Sequence, residues 1–199
     1  ALTQSGTDQT EKLITMNRMI AEQAVHAGEI LKRLRTFIVP SNVIRSVLDI
    51  NDVIAESLKL TASQTCCFGA EISLALADNL PKVVGDRVQI QQVVVNLLLN
   101  AFESMVNRVQ EERLVTVSTC YREDCVEVAV EDNGEGLSPE SADTVFDAFV
   151  TTKAAGMGLG LAICRSIIHS HCGVIWVTPN TDRGATFHFK LPVATGANA

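Results

Sequence analysis

The chain has 199 residues, 47% of them apolar, and a formal net charge of −7. That length and apolar share support one domain plus a small extra, or two small domains, and the acidic balance speaks against nucleic acid as the main partner. No apolar run reaches the roughly 18 residues of a membrane span, and the polar first ten residues do not resemble a secretory signal.

Residues from about Thr10 to Val39 read as one long proline-free helix. Leu13, Ile20, Ala27 and Leu34 form one series at spacing seven, and Ala24, Leu31 and Ile38 a second. This seam predicts either a partner helix or packing on the chain's own domain. Pro40 ends the helix and Ser41-Asn42 forms a linker. Val43 to Ile50 reads as a short strand, followed by a helix capped by Asn51 and Asp52 and running to about Ser63. Ala70 to Ala77 alternates as a half-buried strand, with Asp78 to Pro81 as a turn. After Val83-Val84, Asp86 is an N-cap for an apolar helix from Arg87 to about Val109. Leu114–Cys120 and Val126–Glu131 form an antiparallel hairpin around residues 121–124. Leu137–Gly158 is irregular, of the kind that makes lids and binding loops. A helix from Leu159 to about Ser170 and strands at Val174–Thr178 and Ala185–Leu191 complete the fold, and the tail frays. The order of elements predicts an α/β two-layer sandwich: a mixed sheet with about three helices on one face, preceded by the long helix.

The six cysteines contain no Cys-x-x-Cys pair and read as reduced thiols; Cys120 and Cys125 flank the hairpin as a facing pair of small apolar residues. Cys164, His169, His171 and Cys172 do not fall on one helical face and make a poor zinc set.

Three segments carry chemistry. Asp132-Asn-Gly134-Glu-Gly136 follows an apolar strand; its glycines allow a sharp turn, and its carboxylate could accept the amine of adenine. By itself it is also an ordinary turn. Gly156-Met-Gly158-Leu159-Gly160 opens a helix, so free N–H groups and the helix dipole can meet phosphate, with Thr151, Thr152 and Lys153 just before it. The spacing is neither that of a dinucleotide site nor of a P-loop. Asn96 and Asn100 share one face of an apolar helix, and an amide oxygen there suits Mg²⁺ together with triphosphate oxygens.

Together with Phe146-Asp-Ala-Phe149-Val-Thr-Thr-Lys153 and Gly184-Ala-Thr186-Phe187, these segments resemble the N, G1, F, G2 and final glycine boxes of bacterial sensor histidine kinases, in order over Asp49 to Pro192. The run from Phe149 to Ser166 most resembles the branch containing the oxygen-sensing kinases of nitrogen-fixing bacteria. The resemblance implies an ATP site in which Asp132 holds the adenine amine with support from Thr186, directly or through water. It implies that Gly134 and Gly136 shape the adenine pocket, that Asn100 binds Mg²⁺, and that Lys153 with Gly156, Gly158, Leu159 and Gly160 holds the phosphates. Phe146 and Phe149 are the lid anchors of that pattern and equally compatible with plain core aromatics. ATP-hydrolysing relatives such as gyrase carry glutamate where this chain has Asn96, and an amide cannot activate water as a base.

The implied organisation is residues 1–40 as the second helix of a dimerisation hairpin, 41–195 as the ATP-binding catalytic domain, and 196–199 as tail. The implied partners are ATP, a histidine-bearing dimerisation helix, a response-regulator receiver domain and a second copy of the full-length protein, in the cytoplasm. No His-Glu-x-x-x-Pro box is present, and His26 is the one histidine on the first helix. The rival expectation is a nucleotide-binding docking module without phosphotransfer.

Overall fold

The computed structural model describes Met16 and residues 44–151 and 157–194. The chain divides into two compact units, Ala1–Asn42 and Val43–Ala199. In the first, Met16 is helical and exposed. The rest of the long helix expected there, with His26, lies outside the described residues, as do Thr152, Lys153, Gly156 and the tail.

In the second unit, β1 (Ser46–Leu48) leads into α1 (Ile50–Phe68). Asp49 is its cap, accepting from Asn51 N at 2.9 Å, so the helix starts one residue before the expected Asn51-Asp52 cap. Lys82 Nζ lies 2.6 Å from the same carboxylate and holds it below the usual carboxylate range. Asn51 is released for the sheet, donating to Ala77 O at 3.0 Å and accepting from Thr119 Oγ1 at 3.1 Å. The helix also outruns its expected end at Ser63. Ser57, Thr61 and Thr65 return their hydroxyls to carbonyls four residues back, so they do not compete for backbone groups in a way that ends it. Gly69, at φ 60°, terminates the helix.

Next come β2 (Glu71–Ala75), β3 (Val83–Gly85) and α2 (Arg87–Ser104). Asp86 caps α2 as expected, accepting from Val88 N and Gln89 N at 3.0 and 3.1 Å. The helix ends at Ser104, short of Val109, where Met105 to Arg108 turn and a 3₁₀ segment (Gln110–Glu112) follows. Then β4 (Leu114–Arg122) and β5 (Cys125–Asp132) form the expected hairpin with a two-residue loop. Glu123 and Asp124 both take positive φ there, the conformation a tight primed turn demands. The register sets Arg122 opposite Cys125 and Cys120 opposite Glu127, so the two cysteines do not face each other as expected. A short α3 (Pro139–Thr144), α4 (Gly160–Ser170), β6 (Val174–Pro179) and β7 (Ala185–Pro192) complete the unit.

The five-stranded sheet has the order β2-β4-β5-β7-β6, with β2 and β4 parallel and the other pairs antiparallel; β1 and β3 pair separately. This is a mixed α/β sheet with a layer of three longer helices, as the order of elements predicted. Val115, Val117, Val126, Val128, Val130, Phe187 and Phe189 bury one face. Glu127, His188 and Lys190 alternate onto the other. Helix α2 packs against α1, α4 and β5, which puts it at the centre of the core. β2 is an edge strand, and Leu74 there is 50% exposed, less covered than its alternation suggested. Among the described residues no helix is long and apolar enough to cross a membrane.

Candidate functional site

The last residue of β5 is Asp132, a carboxylate only 2% exposed. Its Oδ1 accepts from Ser104 Oγ, at the end of α2, and from Gly134 N, each at 2.8 Å. A carboxylate this buried is stable as an anion only with donors aimed at it. Gly134 approaches so closely that a Cβ would fall 2.2 Å from Ser104 Oγ. The loop is fastened from behind: Arg108 Nη1 donates to Asn133 O at 2.6 Å, and Glu135 N donates to Ser104 O at 3.2 Å. Asn133 donates to Glu112 O and accepts from Leu114 N, so its side chain secures the chain entering β4.

Helix α2 carries a polar stripe through its apolar surface. Asn96, Asn100 and Ser104 are spaced by four and share a face, over about 12 Å of axis. At one end Ser104 holds Asp132. At the other, Asn96 Nδ2 faces Gly160 O at 3.5 Å and Cys164 Sγ at 3.7 Å, both on α4. These contacts are long, but they orient the amide, because its oxygen turned towards a carbonyl would be repelled. Cys164 is fully buried, and desolvation pushes its thiol up to about 12, so it stays neutral beside Asn96. Asn100 lies midway along the stripe, half-buried.

Gly158 takes φ 65°, and a Cβ there would stand 2.5 Å from Val150 O. Phe149 N donates to Gly158 O at 3.0 Å, which brings residues 149 and 158 together across the segment between them. Leu159 is buried and precedes α4 with no side-chain cap, leaving the first N–H groups of that helix to other acceptors. Among the described residues, nothing stands within 4 Å of where a Cβ of Gly160 would lie. The structure therefore brings Asp132, Gly134, Asn96, Asn100, Gly158, Leu159 and Gly160 around α2 and the start of α4.

Thr186 is placed differently from the expectation. It pairs with Glu131 in the sheet, on the face opposite Asp132, and its Oγ1 donates to Asn180 Oδ1 at 2.7 Å. Gly136, at φ 80°, lies against Gly184, whose own φ is 88°. Phe146 is a core aromatic, packed edge-on to Phe187 at 6.1 Å, whereas Phe149 is 73% exposed. The described histidines lie outside this constellation. His171 is buried, accepting from Asp86 N at 2.9 Å through Nε2 and lying 2.8 Å from Ile167 O through Nδ1. His169 is exposed, and His188 stacks on Trp176. Residues that sequence reasoning missed are Ser104, Arg108 and Asn180. Ser104 carried a readable signal, four positions past Asn100 on the same helical face. An apolar cleft of about 620 Å³ between α1 and β2, lined by Leu58, Ala62, Cys66, Ile72 and Leu74, shares no residue with this constellation.

Comparison with known proteins matches this architecture. The chain is 40% identical over 174 residues to sensor protein FixL of Bradyrhizobium diazoefficiens, covering 87% of this chain and 34% of that protein. It thus spans about a third of the length of that curated relative. Full-length ShkA in complex with AMPPNP superposes with a TM-score of 0.74 at 25% identity, covering 88% of this chain and 36% of that one. Histidine kinase ThkA in complex with response regulator protein TrrA gives 0.73 at 25% identity, covering 88% and 50%. A family model described as histidine kinase-, DNA gyrase B- and HSP90-like ATPase matches residues 85–195, from β3 through β7 and so through every described element of the site. With more than half of its length within that model, this chain belongs to the family of histidine kinase-, DNA gyrase B- and HSP90-like ATPases.

Proposed function

We propose that residues 41–195 are the ATP-binding catalytic domain of a sensor histidine kinase, which passes the γ-phosphoryl group of ATP to a histidine on a dimerisation hairpin. The supporting observation is the stripe on α2, which links a buried acid at Asp132 to the uncapped start of α4. In this reading Asp132 accepts from the adenine amine, while Gly134 and Gly136 let the backbone approach the base. The N–H groups at Leu159 and Gly160 receive phosphate oxygens, assisted by the helix dipole, with Lys153, Thr152, Gly156 and Gly158 completing that end.

The residues present fit Mg²⁺ entering with the nucleotide. Asn100 offers one half-buried amide oxygen on the stripe, the type of donor a hard cation takes when phosphates and waters supply the rest. Bound there, the ion would neutralise phosphate charge. Asn96 has no proton-accepting carboxylate, so the site has no base for water at that position and is suited to transfer. The histidine nitrogen attacks the γ-phosphorus, the bond to the β,γ-bridging oxygen breaks, and ADP leaves. The phosphohistidine would then pass its phosphoryl group to an aspartate of a response-regulator receiver domain. The neighbour bound to a response regulator supports that partner. A homodimer of the full-length protein and a cytoplasmic location belong to the same proposal.

The test supplies a separately made histidine-bearing hairpin with labelled ATP and Mg²⁺. Phosphohistidine is expected on the hairpin. Its absence at saturating nucleotide would leave the docking module as the better description.

A further inference from the structure

We infer that Asn180 is a positioning residue for base recognition: its carboxamide clamps the main chain of Asp132, and Thr186 acts on the site only through it. This rests on the reading of Asp132 as the group that meets adenine.

The ladder between β5 and β7 ends at the pair Glu131–Thr186, one residue before the acid. Past that pair the chain turns at Gly184, whose φ is 88°. Asn180 Nδ2 donates to Asp132 O at 2.9 Å. The orientation of the amide is chemically determined, because only its NH₂ end can face a carbonyl. Its oxygen is then left to accept from Thr186 Oγ1, at 2.7 Å. The loop that carries Asn180 is closed on itself, with Asn180 N donating to Gly184 O at 3.2 Å. It is pressed against the acid, since a Cβ on Gly184 would fall 1.9 Å from Asp132 O.

Asp132 is thus gripped at both ends. Ser104 and Gly134 hold its Oδ1, and Asn180 holds its carbonyl. A side chain hydrogen-bonded on one end alone can still swing with its backbone. Fixing the carbonyl as well sets the direction in which the carboxylate meets an exocyclic amine. Direction matters more for discrimination than for total affinity, because guanine presents a carbonyl where adenine presents the amine. Thr186 sits on the far face of the sheet, and its hydroxyl is joined to the acid through Asn180.

The test is calorimetric titration of ATP and GTP into this chain and into N180A, T186V, T186S and the N180A/T186V double variant, with thermal melting to check folding. The parent chain should prefer ATP. N180A should lower the ATP/GTP preference about tenfold. T186V, close to isosteric, should lower it about threefold, T186S should restore it, and T186V should add less than about twofold to N180A. If N180A does not fold, the T186V and T186S pair carries the test. An unchanged ATP/GTP ratio in T186V, or effects of the two substitutions that multiply independently, would overturn the clamp. Failure of the parent chain to bind ATP would refute the reading of Asp132 itself, and this inference with it.

Discussion

Ser104 Oγ lies 2.8 Å from Asp132 Oδ1, joining the last residue of the central helix to the last residue of a central strand. The bond anchors the acid to the element that also carries Asn96 and Asn100, so both ends of the site share one rigid frame. Replacing Ser104 by alanine removes a donor to a buried carboxylate oxygen, a loss of about 1.5–3 kcal/mol for a hydrogen bond to a charged group. Calorimetry should register ATP affinity about tenfold lower in S104A, with the fold retained. Wild-type affinity in that variant would mean the serine does not support the site.

Gly184 tests the close approach of β7 to the acid. At φ 88° and with Asp132 O in the way, an alanine there is strained by its backbone and blocked by its Cβ. G184A should lower stability by more than about 1 kcal/mol, a fall of the melting midpoint by several degrees, and weaken ATP binding. A melting curve superimposable on that of the parent would contradict this geometry.

His171 fastens the end of α4 to the start of α2, accepting from the buried N–H of Asp86 at 2.9 Å. H171A leaves that donor without its acceptor and should cost about 1–3 kcal/mol in urea unfolding. Added space beside Gly85 offers no compensation, since the ring already lies where a Gly85 Cβ would touch it.

Cys164 gives a pH signature. Burial raises its thiol from 9.0 to about 12 in the folded protein, whereas the unfolded chain titrates near the lower value. The unfolded state therefore loses its proton first as pH rises. The contribution to stability is fully present below about 9 and lost progressively towards about 12. Urea unfolding from pH 8 upwards should show a decline that is shallower in C164A. In the native protein Cys164 should also resist alkylation at pH 8 while the exposed Cys66, Cys67 and Cys172 react. Equal labelling of all these thiols without unfolding would contradict the buried placement.

Much of this fold was legible because strong local signals agree with the packing. Asp86 before an apolar helix, the alternation of Val126, Val128 and Val130, and the glycines of 134–136 and 158–160 each name their own structure. The misreadings arise where a tertiary partner decides. Asn51 looked like a cap but is drawn to Ala77 O and Thr119, and Asp49 takes the cap. Cys120 and Cys125 looked paired, but a two-residue loop sets Cys120 opposite Glu127 and Cys125 opposite Arg122, two residues away from facing each other. Thr186 looked like a support for the adenine amine beside Asp132, yet strand alternation puts it on the other face, and only the structure brings Asn180, forty-eight residues from the acid, between them. Contacts of that separation have no local pattern to read.

The central claim is that Asp132 reads adenine by accepting a hydrogen bond, and its most direct test is calorimetric titration of ATP into D132N. The substitution keeps the size of the side chain, so Ser104 and Gly134 can still donate to its remaining oxygen. With that oxygen so engaged, the amide nitrogen that replaces Oδ2 would meet the adenine amine donor to donor. The account predicts ATP affinity at least about tenfold lower than the parent, with an unchanged melting temperature to within about 4 °C. An affinity for ATP equal to that of the parent chain would contradict it.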